Sequence, residues 1–207
     1  FITHYCILNS ECNKLMQIPS MFLTQSPSQP VMSHLLTVAD AVARHARLSP
    51  RQMGARDSKR QLNFAQWHDR ATRLANAFLG LGLRQGDRVA LLAYNRLEWM
   101  ELYVALARAG LVAVPINFRL TPPEIAYIVQ HSGARACVVE DALVEPIESI
   151  SSELELLPRA KICIGTRSPA GWTDYEALIK AASGGEPDVL VRPVDPCALM
   201  YTSGTTG

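Results

Sequence analysis

The sequence predicts an α/β fold in which strands and helices alternate around a mostly parallel sheet. Four short segments are almost continuously apolar, and stretches with helical spacing of apolar residues lie between them; the four are 88–93, 111–116, 136–139 and 161–164. Strands that are apolar on both faces are typical of parallel sheets covered by helices on both sides. Strict alternation of strand and helix favours the same arrangement.

Two helices and a hairpin are predicted before the first of these strands. Apolar residues recur at helical spacing over 38–48, and Pro50 ends the pattern. Asn63 is a suitable cap for a second helix with an apolar stripe over 64–79. Between the two helices, 57–60 resembles the tip of a hairpin, and we expect its charged side chains to face solvent.

Three further helices have start signals in the sequence. Asn95 is the predicted cap of the helix after the first apolar strand. Thr121 and Glu124 form a capping box with proline at the first helical position. Thr173 with Glu176 indicates a short helix near the end of the chain. Each of these patterns is local, so each can be tested directly against the structure.

The remaining segments complete the predicted order of elements. Residues 141–157 are predicted to be mostly helical, and three prolines, Pro187, Pro193 and Pro196, indicate a linker. The apolar stretch 197–200 that follows the linker is predicted to be a buried strand.

Composition excludes several functional classes. The chain has 207 residues, of which 48% are hydrophobic and 19% charged, with a net charge of +1. This is enough apolar material for one large or two modest globular units. A charge near zero gives no reason to expect nucleic acid or an anionic membrane as a partner, and no apolar run is long enough to span a bilayer.

The five cysteines are scattered and include no CxxC pair. Three of them, Cys137, Cys163 and Cys197, lie in apolar segments, where a buried free thiol is the expected state. This pattern argues against a zinc site or a disulfide framework and predicts a reducing, cytoplasmic location.

The first 31 residues differ from the rest of the chain. They begin with Phe1, are rich in Ser, Gln, Asn and Pro, and show no sustained periodicity. We therefore expect 1–31 to be a disordered or non-native extension, with Met32 as the favoured start and Met21 as the alternative. A native disordered tail predicts the same lack of structure.

The last seven residues, 201–207, are small hydroxyl residues and glycines after an apolar strand. Glycines permit close approach of the backbone to a ligand, and successive N–H groups can line an anion-binding concavity. The stretch has neither the lysine of a Walker A loop nor the G-x-S-x-G of a nucleophile elbow. A surface turn or a frayed terminus is the alternative. The candidate phosphate-binding residues are Thr202, Ser203, Gly204, Thr205, Thr206 and Gly207.

The string at 199–207, LMYTSGTTG, resembles the start of the AMP-binding signature of adenylate-forming enzymes. Two upstream stretches, 108–115 and 114–122, also resemble this superfamily, and the second has the form seen in fatty-acyl and aryl-acid CoA ligases. The resemblance covers about 36–207. It implies that 32–207 is an incomplete N-terminal domain of the adenylate-forming fold, truncated within the phosphate loop.

The resemblance also implies an activity. A small carboxylic acid would react with ATP, with Mg²⁺ on the phosphates, to give an acyl-adenylate, and coenzyme A would then displace AMP. The loop residues would hold the ATP phosphates, and the resemblance assigns no catalytic residue within this stretch. A fragment of such a ligase is expected to be inactive alone. An adenylation domain that loads a carrier protein and a truncated, non-catalytic product are the alternatives. The identity of the acid and the oligomeric state are not predicted.

Overall fold

The computed structural model describes the backbone of residues 4–7 and the whole of residues 37–202. Within these ranges the helices are α1 Val38–Leu48, α2 Phe64–Gly80, α3 Glu98–Arg108, α4 Pro122–Ser132, α5 Val144–Glu148 and α6 Tyr175–Ala181. The strands are β1 His4–Ile7, β2 Met53–Arg56, β3 Gln61–Asn63, β4 Arg88–Leu92, β5 Val112–Pro115, β6 Ala134–Glu140, β7 Lys161–Ile164, β8 Thr173–Asp174 and β9 Leu199–Thr202.

A five-stranded sheet forms the centre of the described chain, with strand order β5-β4-β6-β7-β8. All four of its strand pairs are parallel. Four of the strands correspond to the four apolar segments in the sequence, and the two-residue β8 adds an edge. The predicted α/β fold with a mostly parallel sheet is therefore confirmed.

Helices cover both faces of this sheet. Successive residues of β4 alternate between the two sides: Val89 and Leu91 belong to one apolar core, and Ala90 and Leu92 belong to the other. The first core is completed mainly by α1, α2, α3 and α6, and the second by α4 and α5. Burial on both sides explains why β4 is apolar at consecutive positions.

Two of the predicted helix starts are confirmed. At the start of α2, the backbone N–H of Gln66 donates to Asn63 Oδ1 over 2.8 Å. At the start of α4, the backbone N–H of Thr121 donates to Glu124 Oε2, also over 2.8 Å. In both cases a side chain within one turn satisfies a backbone group that the helix leaves unpaired.

The prediction that Asn95 caps the next helix is wrong. Helix α3 begins later, at Glu98, and its cap position is Leu97, which provides no capping side chain. Instead, the N–H of Leu97 donates to Asp57 Oδ2 over 3.1 Å. Asp57 lies at the tip of the β2–β3 hairpin, so the start of α3 is stabilised by a residue 40 positions away.

The prediction that Thr173 caps the last short helix is also wrong. Thr173 pairs with Ile162 in the sheet, and its hydroxyl donates to the carbonyl oxygen of Arg159. The cap is Asp174, whose Oδ1 accepts from the N–H of Ala177 over 2.7 Å. The pairing of β8 with β7 moves the helix start by one residue.

The stretch 141–157 is less helical than predicted. Short 3₁₀ turns at Asp141–Leu143 and Ser151–Glu153 flank the five-residue α5. The chain is extended from Leu154, and the N–H of Leu157 donates to the carbonyl oxygen of Arg135 over 2.8 Å. This bond to β6 takes the place of a continued helix.

The last strand is shifted and only half-buried. Strand β9 covers Leu199–Thr202 rather than the predicted 197–200. Its residues alternate between half-buried and exposed, with Met200 38% exposed. It pairs antiparallel with β1. The prediction of a buried strand is wrong because one face of β9 packs on the second core and the other does not.

Most of the predicted N-terminal extension, 1–31, lies outside the described residues. Residues 4–7 form β1, whereas residues 1–3 and 8–36 lie outside the described residues. The boundary at Met32 therefore stays a prediction. Among the residues that are described, no helix is long and apolar enough to cross a membrane.

Candidate functional site

Strand β9, which precedes the predicted phosphate loop in the sequence, begins next to β5 of the parallel sheet. Ala198, just before β9, forms a parallel bridge with Ala113 of β5, and the N–H of Ala113 donates to the carbonyl oxygen of Cys197 over 3.0 Å. The chain therefore runs in the same direction as β5 at this point. Open α/β sheets bind their ligands outside the carboxyl ends of the strands.

Of the six predicted phosphate-binding residues, the structure describes Thr202, which is exposed at the end of β9. The other five, Ser203, Gly204, Thr205, Thr206 and Gly207, lie outside the described residues, so their role stays a prediction. The residue before Thr202, Tyr201, lies on the opposite face of the strand, against the second core. Its hydroxyl is 2.8 Å from Nδ1 of His131, on α4.

Two exposed aromatic rings lie near the carboxyl ends of β4 and β5. Tyr94 and Phe118 are 43% and 39% exposed, and their ring centroids are 4.8 Å apart in an edge-to-face arrangement. The guanidinium of Arg119 lies 5.3 Å from the centroid of the Phe118 ring. Sequence reasoning missed this group. Its signal was an aromatic residue placed two or three positions after each of two apolar strands.

The loop that carries Tyr94 is fixed by hydrogen bonds on both sides of its backbone. The N–H of Tyr94 donates to Glu140 Oε2 over 2.8 Å, and its carbonyl oxygen accepts from Trp99 Nε1 over 2.8 Å. Glu140 is at the end of β6 and Trp99 is in α3. The position of the exposed ring is therefore set by two different elements of the fold.

A network of charged side chains connects this edge with the β2–β3 hairpin. The side chain of Glu98 is only 6% exposed and pairs with Arg96 over 2.7 Å and with Arg60 over 2.5 Å. Arg96 also pairs with Glu140 over 3.1 Å. Burial lowers the pKa of Arg96, but its hydrogen bond and attraction to Glu98 outweigh this and raise it. The expectation that the hairpin charges only face solvent is therefore wrong for Arg60.

A second buried group joins α2, α3 and α6. Glu101 is fully buried, and it accepts from Arg70 Nε over 2.7 Å, from Arg70 Nη2 over 3.1 Å and from the Tyr175 hydroxyl over 2.7 Å. Arg70 also donates to Glu176. Burial opposes the charge on Arg70, but the two carboxylates raise its pKa overall. Because protein groups satisfy this carboxylate, we interpret the cluster as structural.

The described residues contain no group of three or more His, Cys, Asp and Glu side chains that could hold a metal ion. The family resemblance implies Mg²⁺ on the phosphates of ATP rather than in a protein cage. Mg²⁺ in such sites keeps several waters and is held by few carboxylates together with substrate phosphates.

The parallel sheet with helices on both faces places the protein in the class of open α/β folds, which bind ligands at the carboxyl edge of the sheet. A family model described as "AMP-binding enzyme" matches residues 40–207, which is most of the chain. The chain belongs to this family. The resemblance inferred from the loop and the two upstream stretches is thereby confirmed.

Named relatives include an acyl-coenzyme A synthetase and a feruloyl-CoA synthase. Human mitochondrial acyl-coenzyme A synthetase ACSM1 is 35% identical over 146 residues, covering 70% of this chain and 25% of the relative. Feruloyl-CoA synthase from an Amycolatopsis species is 37% identical over 164 residues, covering 79% of this chain and 30% of the relative. The chain therefore spans about a quarter to a third of the length of these relatives.

Solved structures agree with the fold. The anthranilate CoA ligase AuaEII, in complex with anthranoyl-AMP, superposes with a TM-score of 0.74 at 29% identity, covering 83% of this chain and 33% of that one. A fatty acyl CoA synthetase from Mycobacterium tuberculosis superposes with a TM-score of 0.69 at 30% identity, covering 80% and 32%. The architecture is thus that of the N-terminal domain of adenylate-forming enzymes.

Proposed function

We propose that this chain is the N-terminal part of an ATP-dependent acid–CoA ligase. A carboxylate oxygen of the acid attacks the α-phosphorus of ATP, and the bond to the β-phosphate breaks with release of pyrophosphate. The thiolate of coenzyme A then attacks the acyl carbon, and AMP leaves. The family match, which extends through the predicted phosphate loop to residue 207, is the observation that carries this proposal.

In this proposal the stretch 202–207 binds the β- and γ-phosphates of ATP with backbone N–H groups and hydroxyls. The parallel bridge between Ala198 and Ala113 supports this role, because it directs the loop toward the carboxyl edge of the sheet. Mg²⁺, when bound with ATP, neutralises charge on the phosphates. The loop residues themselves orient the pyrophosphate leaving group, and none acts as a nucleophile.

The exposed aromatic pair supports a nucleotide substrate at the same edge. Tyr94 and Phe118 are exposed aromatic side chains against which a purine can pack, and Arg119 adds a cation close to them. Both ATP and coenzyme A contain an adenine and phosphates. The group is therefore suited to a nucleotide part of either substrate.

The test uses the protein at the full length of its gene. Purified protein is incubated with MgATP and a panel of short-chain, long-chain and aryl acids, and pyrophosphate release is measured with and without coenzyme A. We expect acid-dependent pyrophosphate release, with AMP and an acyl-CoA thioester formed when coenzyme A is present. Release of pyrophosphate with transfer to a carrier protein but not to coenzyme A would support the alternative adenylation domain. The 207-residue chain alone is expected to show no turnover.

Ser203→Ala tests the loop within this assay. Loss of one hydrogen bond to a charged phosphate is expected to lower kcat/KM for ATP by about tenfold or more, with little change in KM for the acid. Ser152→Ala is the matched control, because Ser152 is exposed on a 3₁₀ turn. Absence of acid-dependent pyrophosphate release across the panel, or equal effects of the two substitutions, would contradict the proposed function.

A further inference from the structure

A chain of aromatic contacts joins α4 to the strand that leads into the predicted phosphate loop. The hydroxyl of Tyr201 and Nδ1 of His131 are 2.8 Å apart, and the two rings meet edge to face with centroids 5.8 Å apart. On its other side, His131 stacks on Tyr127 with centroids 5.3 Å apart and an angle of 20° between the rings. Tyr127 and His131 are one helical turn apart, so the same face of α4 presents both rings.

Helix α4, which carries these two rings, is anchored in the second core. Ile125, Ile128 and Val129 of α4 are at most 2% exposed in the second core. The helix begins with the Thr121–Glu124 capping box and ends at Gly133 in the left-handed conformation, so both ends are defined. The backbone of such a helix has little freedom to move relative to the sheet.

Tyr201 connects helix α4 with the start of the predicted phosphate loop. Successive side chains of a strand point to opposite faces, so Tyr201 packs on the second core while Thr202 is exposed on the other side. Fixing the Tyr201 side chain fixes the backbone from which Thr202 projects. Thr202 is the first of the predicted phosphate-binding residues.

We propose that His131 is a positioning residue that holds Tyr201 and thereby sets the start of the phosphate loop for ATP. The proposal rests on the proposed function of that loop. His131 itself touches no substrate. Its effect is specific to ligands with β- and γ-phosphates, because those are the groups that the loop would bind.

The experiment compares MgATP and AMP binding to the full-length protein by isothermal titration calorimetry. AMP lacks the two phosphates, so its affinity serves as an internal control for the fold of the site. Loss of one hydrogen bond is expected to weaken MgATP binding by about tenfold in both His131→Ala and Tyr201→Phe, with AMP affinity unchanged. His131→Asn, which keeps a polar atom near the position of Nδ1, is expected to restore most of the affinity. The double variant His131→Ala/Tyr201→Phe should bind MgATP no more weakly than either single variant.

Gln130→Ala is the matched control on the same helix, because the Gln130 amide donates to the carbonyl oxygen of Glu153 and not to β9. It should leave both affinities unchanged. Unchanged MgATP binding in the His131 variants, additive losses in the double variant, or equal losses for MgATP and AMP would overturn the proposal. If the wild type binds MgATP but releases no pyrophosphate with any acid, the proposed ligase function fails while the two affinities still decide the role of His131. If the wild type does not bind MgATP, both fail.

Discussion

Removal of a single hydroxyl tests the interpretation that the buried Glu101 cluster is structural. Tyr175 is 1% exposed, and its hydroxyl donates to Glu101 Oε2 over 2.7 Å. In Tyr175→Phe the ring still fills its place, so no large cavity forms. A hydrogen bond to a charged group contributes about 1.5–3 kcal/mol. Glu101 keeps two bonds from Arg70, so the carboxylate stays paired, and we expect a loss of about 2 kcal/mol in the free energy of unfolding.

Urea unfolding, followed by tryptophan fluorescence, measures this loss. The midpoint should fall while the m-value stays constant, since the surface exposed on unfolding is unchanged. Tyr103→Phe is the control: Tyr103 is half-buried, stacks on Trp99, and its hydroxyl makes no hydrogen bond within the part of the chain that the structure describes. A loss below about 0.5 kcal/mol for Tyr175→Phe, the range of ordinary surface changes, would refute the reasoning.

The same variant has a signature at alkaline pH. Burial and the neighbouring Glu101 carboxylate raise the pKa of Tyr175 well above its ordinary value of 10.0. The folded protein therefore keeps a phenol proton that the unfolded chain loses above about pH 10, so stability is complete below that pH and declines as pH rises beyond it. Tyr175→Phe has no such proton, and its stability should fall less steeply between neutral and alkaline pH. Parallel slopes for the two proteins would contradict this account.

Two further predictions concern other parts of the fold. Gly133→Ala and Gly86→Ala both place a side chain at positive φ, which costs about 1–2 kcal/mol. A Cβ at Gly133 would also lie 2.5 Å from Arg88 Nη2, whereas nothing lies within 4 Å of a Cβ at Gly86. Gly133→Ala should therefore lower the midpoint of urea unfolding more than Gly86→Ala does. Equal shifts of the two midpoints would argue against a steric clash with Arg88. Lys161 and then Trp172 hydrogen-bond to Glu148 and lower its pKa, so wild-type stability should decline as pH falls below about 4.5. In acid unfolding, Glu148→Gln should lose less stability than the wild type as pH falls below about 4.5. The same dependence of stability on pH in both proteins would contradict the assignment to Glu148.

Local signals in the sequence predicted local structure well. The cap at Asn63 and the box formed by Thr121 and Glu124 act within one helical turn, and both are present in the structure. The apolar strands were equally clear because a parallel sheet buries both faces. The predictions failed where tertiary contacts decided the outcome. The partner of Leu97 is Asp57, 40 residues earlier, and nothing in the sequence near 97 indicates this contact.

In the candidate site, too, local sequence signals were informative and contacts between distant residues were not predicted. Order and composition at 202–207 predicted a phosphate loop, and its role stays a prediction. The resemblance identified a family that the family match confirms. The contact between His131 and Tyr201 joins residues 70 positions apart. The aromatic pair of Tyr94 and Phe118 joins loops after two different strands. A single sequence contains no record of such proximities, so they became visible only when the sheet order was known.

The loop at the carboxyl edge of the sheet, where we propose that a nucleotide binds, is held by groups that lie behind it. Glu140 accepts from the N–H of Tyr94 and pairs with Arg96, which pairs in turn with the buried Glu98. Glu98 is also the partner of Arg60, in the turn of the β2–β3 hairpin. The loop that presents the exposed ring is therefore held by a continuous series of charged contacts that ends on the hairpin. A binding surface that is fixed in advance loses little conformational entropy when a ligand arrives. These charged contacts therefore hold the backbone of the loop that carries Tyr94.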